Sequence, residues 1–292
     1  MTRIAFSGEP GAFAEDAVRA FLPGSEAVPV PGFREVFEVV SAGRIPSDAA
    51  GSAPVAAGVL PIENLVQGTV RETYDLLLEH DLLIVGEVIV PVRLCLAALP
   101  GERLETIVRV YSHVQALGQA EVFLRSRPWS LLTTYNTAGA GRLVAERAEP
   151  GAAAVLSPRA AETFGLRILA DGIESVADNR TRFLIVARPG AVPIARPAEP
   201  AVPRRTTLVF AVPNEPGSLH RCLGVFAAAG LNLSKLESRP DRTHPWEYVF
   251  WADLDADAAS PVTAAALAEL RGRAAIVRVL GSYPRASDRW EG

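Results

Sequence analysis

The chain has 292 residues, 49% of them hydrophobic, with 29 basic and 33 acidic side chains and a net charge of −4. That length exceeds a usual single domain and supplies apolar side chains for a sizeable core, so two domains are expected. A chain this mildly acidic has no general basic footprint for nucleic acid, which leaves small molecules as the expected partners.

The longest apolar stretch, LLIVGEVIVPVRLCLAAL over 82–99, carries Glu87 and Arg93 and breaks at Pro91. Paired strands suit it better than a membrane span, so no membrane partner is expected. The opening MTRIAFSGEPG has only a short apolar run and no small-residue cleavage site behind a basic region, so the expectation is a cytoplasmic protein without a signal peptide. Cys95 and Cys222 lie far apart inside apolar segments and read as buried thiols.

In chain order, the strand IAFS (4–7) precedes an amphipathic helix over 13–22. Phe33, Val36, Phe37 and Val40 then keep the i, i+3, i+4, i+7 spacing of a second helix. A strand over 55–60 leads to a helix over 69–79, whose apolar face holds Val70, Tyr74, Leu77 and Leu78. Three more pairs follow: IVRVY with a helix over 113–126, LLTTY with one over 137–147, and AAAVL with one over 157–164. This alternation predicts an α/β domain with mostly parallel sheets. The proline-dense stretch RPGAVPIARPAEPAVPR (188–204) reads as a stiff extended linker. Beyond it, TTLVFAV, a helix over 217–229, LNLSKLES, YVFWADL, a helix over 262–272 and AIVRVLGSY spell a ferredoxin-like βαββαβ unit.

In such sheets ligands collect at the carboxyl ends of strands, where helix N-termini offer unpaired N–H groups. The segments at those corners are GEPGAFAED (8–16), PIENLVQGTV (61–70), SHVQALGQ (112–119) and NTAGA (136–140). Ser112 and Thr137 stand where N-caps are expected. Taken singly, they cap helices and His113 packs. Glu63 and Asn64, two large polar side chains directly after the strand GVLPI, point instead to a crevice. DNRTRFLIV (178–186) crowds Asn179, Thr181 and Arg182 ahead of an apolar strand; alone, it reads as a strand-entry turn held by Asx hydrogen bonds. The histidines at 80, 113, 220 and 244 show no metal-ligand spacing, and no GxxxxGK[ST], GxSxG or strand-linked GxGxxG occurs. Neither a metal nor a cofactor is expected.

Together, GEPGAFAEDA, PIENLVQGTV, SHVQALGQ and DNRTRF resemble the motifs of the prephenate dehydratase family. NEPGSLHRCLGVFAAAGLNLSKLESRP (214–240) resembles the ACT regulatory domain of the same enzymes, and the match keeps its order across residues 3–284. Ala12, Ala14, Leu65, Val114, Ala120 and Ser218 depart from the family pattern; Leu65 replaces a hydroxyl residue.

The resemblance implies a two-lobed catalytic domain over 1–188, similar to the periplasmic-binding-protein type II fold, a linker over 189–204 and an ACT domain over 205–284. It implies that prephenate loses carbon dioxide and its ring hydroxyl to give phenylpyruvate, without a cofactor. Thr181 would be the donor to the departing oxygen, and Glu63, Asn64 and Gln119 complete the catalytic set. Ser112, Arg182, Phe183, Thr137 and His113 would meet substrate; Arg182 either clamps a carboxylate or locks the corner through an ion pair, and Phe183 chiefly packs. L-Phenylalanine would bind as end-product effector at Gly217, Ser218, Leu219, Asn232 and Leu233, between paired ACT domains of a homodimer or dimer of dimers. The alternatives are arogenate dehydratase and a non-catalytic small-molecule-binding protein of the same two-lobed fold.

Overall fold

The computed structural model describes residues 1–49, 51–191, 202–240 and 248–287. Within them the chain forms two compact units, one built on Met1–His80 and Val88–Leu184, the other on Asp81–Glu87 and Ile185–Ala286. Residues 192–201, the middle of the expected linker, lie outside the described residues.

The chain begins with β1 (Arg3–Ser7), α1 (Phe13–Phe21), β2 (Glu26–Val30), α2 (Phe33–Ala42), β3 (Val55–Asn64), β4 (Gly68–Thr69), α3 (Arg71–Glu79) and β5 (Leu83–Pro91). It continues through β6 (Cys95–Ala98), β7 (Arg109–Ser112), α4 (Val114–Gln119), α5 (Glu121–Arg125), β8 (Ser130–Thr133) and α6 (Thr137–Arg147). There follow β9 (Ala152–Leu156), α7 (Pro158–Thr163), β10 (Arg167–Asp171) and β11 (Arg180–Ala187). One sheet runs β2-β1-β3-β11-β5, with β4 folded back on β3; another runs β10-β6-β9-β7-β8. Each sheet carries packed helices, and the two form the two α/β lobes.

The expectation of mostly parallel sheets needs correction in the second lobe. There β7 pairs parallel with β8 and β9, whereas β6 pairs antiparallel with both β9 and β10. β6 enters this sheet three residues after β5 leaves the first one. Apolar side chains fill both faces of this sheet: Leu94, Leu96, Val110 and Val155 on one, and Cys95, Ala97, Ala154 and Leu156 on the other.

The expected helix over 113–126 is also two helices. The Gln119 carbonyl accepts from the Ser175 N–H at 2.6 Å, and the Ser175 hydroxyl accepts from Val122 N–H at 3.2 Å. A distant serine thus ends α4 and caps α5.

In the first unit, Gly11 allows a close approach to the second lobe. Its φ is 86°, and an added Cβ would lie 2.5 Å from the Ala160 Cα. Ser157 donates to the Gly11 carbonyl at 2.6 Å and accepts from Ala160 N–H at 3.0 Å. The glycine motif is therefore a packing device.

The C-terminal sheet is built from β12 (Arg204–Ala211), α8 (Ser218–Ala228), β13 (Leu233–Pro240), β14 (Tyr248–Leu254), α9 (Pro261–Arg271) and β15 (Ile276–Pro284). Its order β13-β14-β12-β15, with antiparallel neighbours throughout, is the ferredoxin-like arrangement expected. Phe210, Phe226, Leu254 and Leu270 anchor its core. Among the described residues no helix is long and apolar enough to cross a membrane.

Candidate active site

β3 ends on Glu63–Asn64 beside the start of β11, which bears Thr181 and Arg182. Asn64 is buried, and its Nδ2 donates to Thr181 Oγ1 at 2.9 Å and to the Arg180 carbonyl at 3.2 Å. Its Oδ1 accepts from the N–H groups of Val66 and Gln67, each at 3.0 Å. One carboxamide therefore ties the turn after β3 to the strand that carries Thr181. Because the Thr181 hydroxyl accepts from Asn64, its own proton remains available to a further acceptor. Arg182 Nη1 lies 3.8 Å from Glu63 Oε2, so the ion-pair role open to Arg182 is present in this structure.

A cleft of about 360 Å³ adjoins the corner. Val66 and Gln67, on the turn that Asn64 holds, form one wall; Gln115, Gly118 and Gln119 of α4 form another. Glu174, Ser175 and Asn179 also line it. The cleft brings Gln119 of the second lobe opposite the Asn64 turn of the first. Neither Thr181 nor Asn64 is on its wall, so the corner and the cleft are adjoining features.

Two expected caps are displaced by one residue. Ser112 is the last residue of β7, and its fully buried hydroxyl donates to the Val155 carbonyl at 2.6 Å. The N-cap of α4 is His113, whose Nδ1 accepts from Gln115 N–H at 3.3 Å. Burial pushes the imidazole pKa down, favouring the neutral ring that this acceptor role requires. Likewise Asn136 caps α6 by accepting from Gly139 N–H at 2.5 Å, and Thr137 occupies the first helical position. Phe183 is buried in the core.

Both cysteines are free and buried. Desolvation first, then the charges of Asp171 and Glu174, push the Cys95 thiol up to about 12. Burial also raises Cys222. Neither is poised as a thiolate nucleophile.

Residues 4–191 match the prephenate dehydratase family. The chain belongs to that family. Residues 206–272 match the ACT domain family. Arogenate dehydratase/prephenate dehydratase 2, chloroplastic, of Arabidopsis thaliana is 41% identical over 296 residues, spanning 97% of this chain and 72% of the relative. The crystal structure of prephenate dehydratase from Arthrobacter aurescens in complex with L-Phe is 32% identical with a TM-score of 0.83, covering 97% of this chain and 90% of that one. A structure described as GqqA, a novel type of quorum-quenching acylase, is 34% identical with a TM-score of 0.85, covering 98% of each chain.

In this prephenate dehydratase family member, the ACT domain presents a tight loop before α8. Gly217 caps the helix at φ 81°, a conformation glycine adopts without strain. The buried Ser218 hydroxyl lies 2.6 Å from both the Pro213 and Glu215 carbonyls. Leu219 and Leu233 pack against the ACT core, while the exposed Asn232 donates to Asp255 at 2.9 Å. Desolvation raises the Asp255 pKa, but hydrogen bonds from Ser234 and Asn232 and the charges of Arg285 and Arg205 outweigh it and hold the carboxyl low.

Sequence reasoning left out Glu174, Ser175 and the assignment of Asn179. Asn179 had a usable signal in its place two residues before Thr181, within the same polar cluster. Glu174 and Ser175 had none, because nothing local relates them to α4.

Proposed function

We propose that this protein is a dehydratase that converts prephenate to phenylpyruvate, carbon dioxide and water, a step of L-phenylalanine biosynthesis, and that L-phenylalanine regulates it through the ACT domain. The carrying observation is the Asn64–Thr181 hydrogen bond, which orients the threonine oxygen and leaves its proton available beside an Arg182–Glu63 pair.

The ring C–CO₂ bond breaks and its electron pair enters the ring. The C–O bond to the ring hydroxyl breaks in turn, and the departing oxygen takes up a proton as water. Charge develops on that oxygen, so a positioned donor stabilises the transition state more than the ground state. A threonine hydroxyl is too weak an acid to give up its proton outright near pH 7, so Thr181 donates a hydrogen bond while Glu63 or water supplies the proton. Arg182 supplies positive charge for a carboxylate of the substrate. Gln119 faces the substrate from the opposite lobe.

The A. aurescens complex supports the effector, and paired ACT domains in a homodimer or dimer of dimers complete the proposal. A cytoplasmic location also belongs to it and is checked by fractionation of the source cells. The deciding assay follows phenylpyruvate formation from prephenate with and without L-phenylalanine. Turnover that L-phenylalanine lowers is expected; absence of turnover overturns the reading. The name of the A. thaliana relative favours a second reading, action on the aminated substrate arogenate. A higher kcat/KM on arogenate than on prephenate selects it.

A further inference from the structure

We propose that Asn179 contacts the substrate and that its partner there is the ring hydroxyl; this rests on the dehydratase reading above. Asn179 is 2% exposed, and neither Nδ2 nor Oδ1 has a hydrogen-bond partner. A buried carboxamide with both ends unmet is costly to fold, and such groups in folded proteins call for an explanation. Asn179 is one of the residues that line the cleft, with Gln67, Gln119 and Ser175, and its carboxamide lies just beneath that surface. Its backbone is fixed by the Val92 N–H, which donates to the Asn179 carbonyl at 2.8 Å, so the residue is anchored beside the cleft.

The two unmet ends decide the chemistry. A carboxylate only accepts, so it satisfies Nδ2 and sets its charge against Oδ1; an ammonium only donates, with the opposite fault. A hydroxyl both donates and accepts and satisfies both ends. The lining agrees, because it holds no Lys, Arg or His, and its one ionisable side chain is the carboxyl of Glu174, which takes the Leu94 N–H at 3.0 Å. A substrate carboxylate would therefore meet no cation on this wall. Prephenate and arogenate each carry one hydroxyl, at the carbon from which it departs.

Three variants test the assignment by kinetics on prephenate and thermal melts. Asn179→Ala lowers kcat/KM by roughly 10- to 100-fold, the loss of one or two neutral hydrogen bonds. Asn179→Leu, of similar volume, raises Tm by removing the unmet polar group while still lowering kcat/KM, an opposition that a purely structural asparagine does not produce. Asn179→Asp keeps an acceptor for the hydroxyl proton and retains at least the kcat/KM of Asn179→Ala. An Asn179→Asp enzyme a further tenfold worse than Asn179→Ala assigns a carboxylate partner and overturns the proposal, as do unchanged kinetics in Asn179→Ala. Wild-type protein without turnover refutes the dehydratase reading alone. The contact is then judged by calorimetry, where it requires prephenate to bind wild type and to lose about tenfold in Kd with Asn179→Ala; failure to bind, or an unchanged Kd, overturns it.

Discussion

The corner between β3 and β11 and the loop before α8 use hydroxyl side chains in opposite ways. At the corner, Thr181 accepts from Asn64 and keeps its proton available. In the loop, Ser218 directs its hydroxyl at the carbonyls of Pro213 and Glu215, and its role is to hold the backbone. Ser112 in the second lobe behaves like Ser218, with its proton committed to Val155. Residue type and position in a motif therefore do not settle a hydroxyl's task. What settles it is whether the neighbouring backbone already uses the proton.

Paired substitutions put that contrast at risk, with the largest effect at Thr181. Thr181→Ala lowers kcat by at least about a hundredfold and stability by no more than about 1 kcal/mol, because it removes a transition-state donor while the Asn64 Nδ2 it leaves keeps the Arg180 carbonyl as acceptor. Thr181→Ser recovers most of the rate. Ser112→Ala does the reverse: the buried Val155 carbonyl loses its donor, stability falls by about 1–3 kcal/mol, and kcat stays within a few-fold of wild type. Melts and steady-state kinetics on the same preparations give both readings. A collapse of kcat in Ser112→Ala equal to that in Thr181→Ala would place Ser112 among the substrate contacts and end the distinction.

The second effect concerns the loop. Ser218→Ala leaves the Pro213 and Glu215 carbonyls without that hydroxyl and loosens the approach to Gly217, where the effector is proposed to bind. The concentration of L-phenylalanine for half-inhibition rises about tenfold, the equivalent of one lost backbone anchor at the binding loop. Each inhibition curve is normalised to that variant's uninhibited rate. An unmoved midpoint places the effector away from this loop.

Much of this was legible because local and global signals agree. The spacing of Phe33, Val36, Phe37 and Val40 is that of α2, and Val36, Phe37 and Val40 are buried. The βαββαβ order of the second unit follows the strand and helix patterns directly. PIEN and DNRTRF suggested one site, and the side chains of Asn64 and Thr181 meet across 117 residues of sequence. What escaped reading depends on partners remote in the chain. Ser112 looked like a cap because nothing in its neighbourhood shows that Val155 takes its proton. The break between α4 and α5 is imposed by Ser175, more than fifty residues downstream. The helix over 137–147 starts where expected, but the caps expected at Ser112 and Thr137 fall on His113 and Asn136, because a strand-to-helix corner offers adjacent polar side chains and backbone direction selects which one caps.

The smallest predicted effect belongs to one of those slipped caps. His113 Nδ1 can accept the Gln115 N–H only while the ring is neutral, and burial already holds its pKa below the ordinary value. The unfolded chain binds a proton at His113 more readily than the folded chain does. Stability from the neutral ring is therefore present above about pH 6.5, the unfolded value, and is lost as pH falls below it. Protonation also removes the cap of α4, which carries Gln115 and Gln119 on the cleft wall. Asn is a good N-cap that does not titrate, so His113→Asn melts within about 1 °C of wild type at pH 7.5 and about 2 °C above it near pH 5, the scale of a single cap in a protein of this size. Melting curves of the two proteins across that range show the gap opening on the acid side alone. A gap of constant size would mean that the imidazole keeps its cap when charged, through a partner other than Gln115.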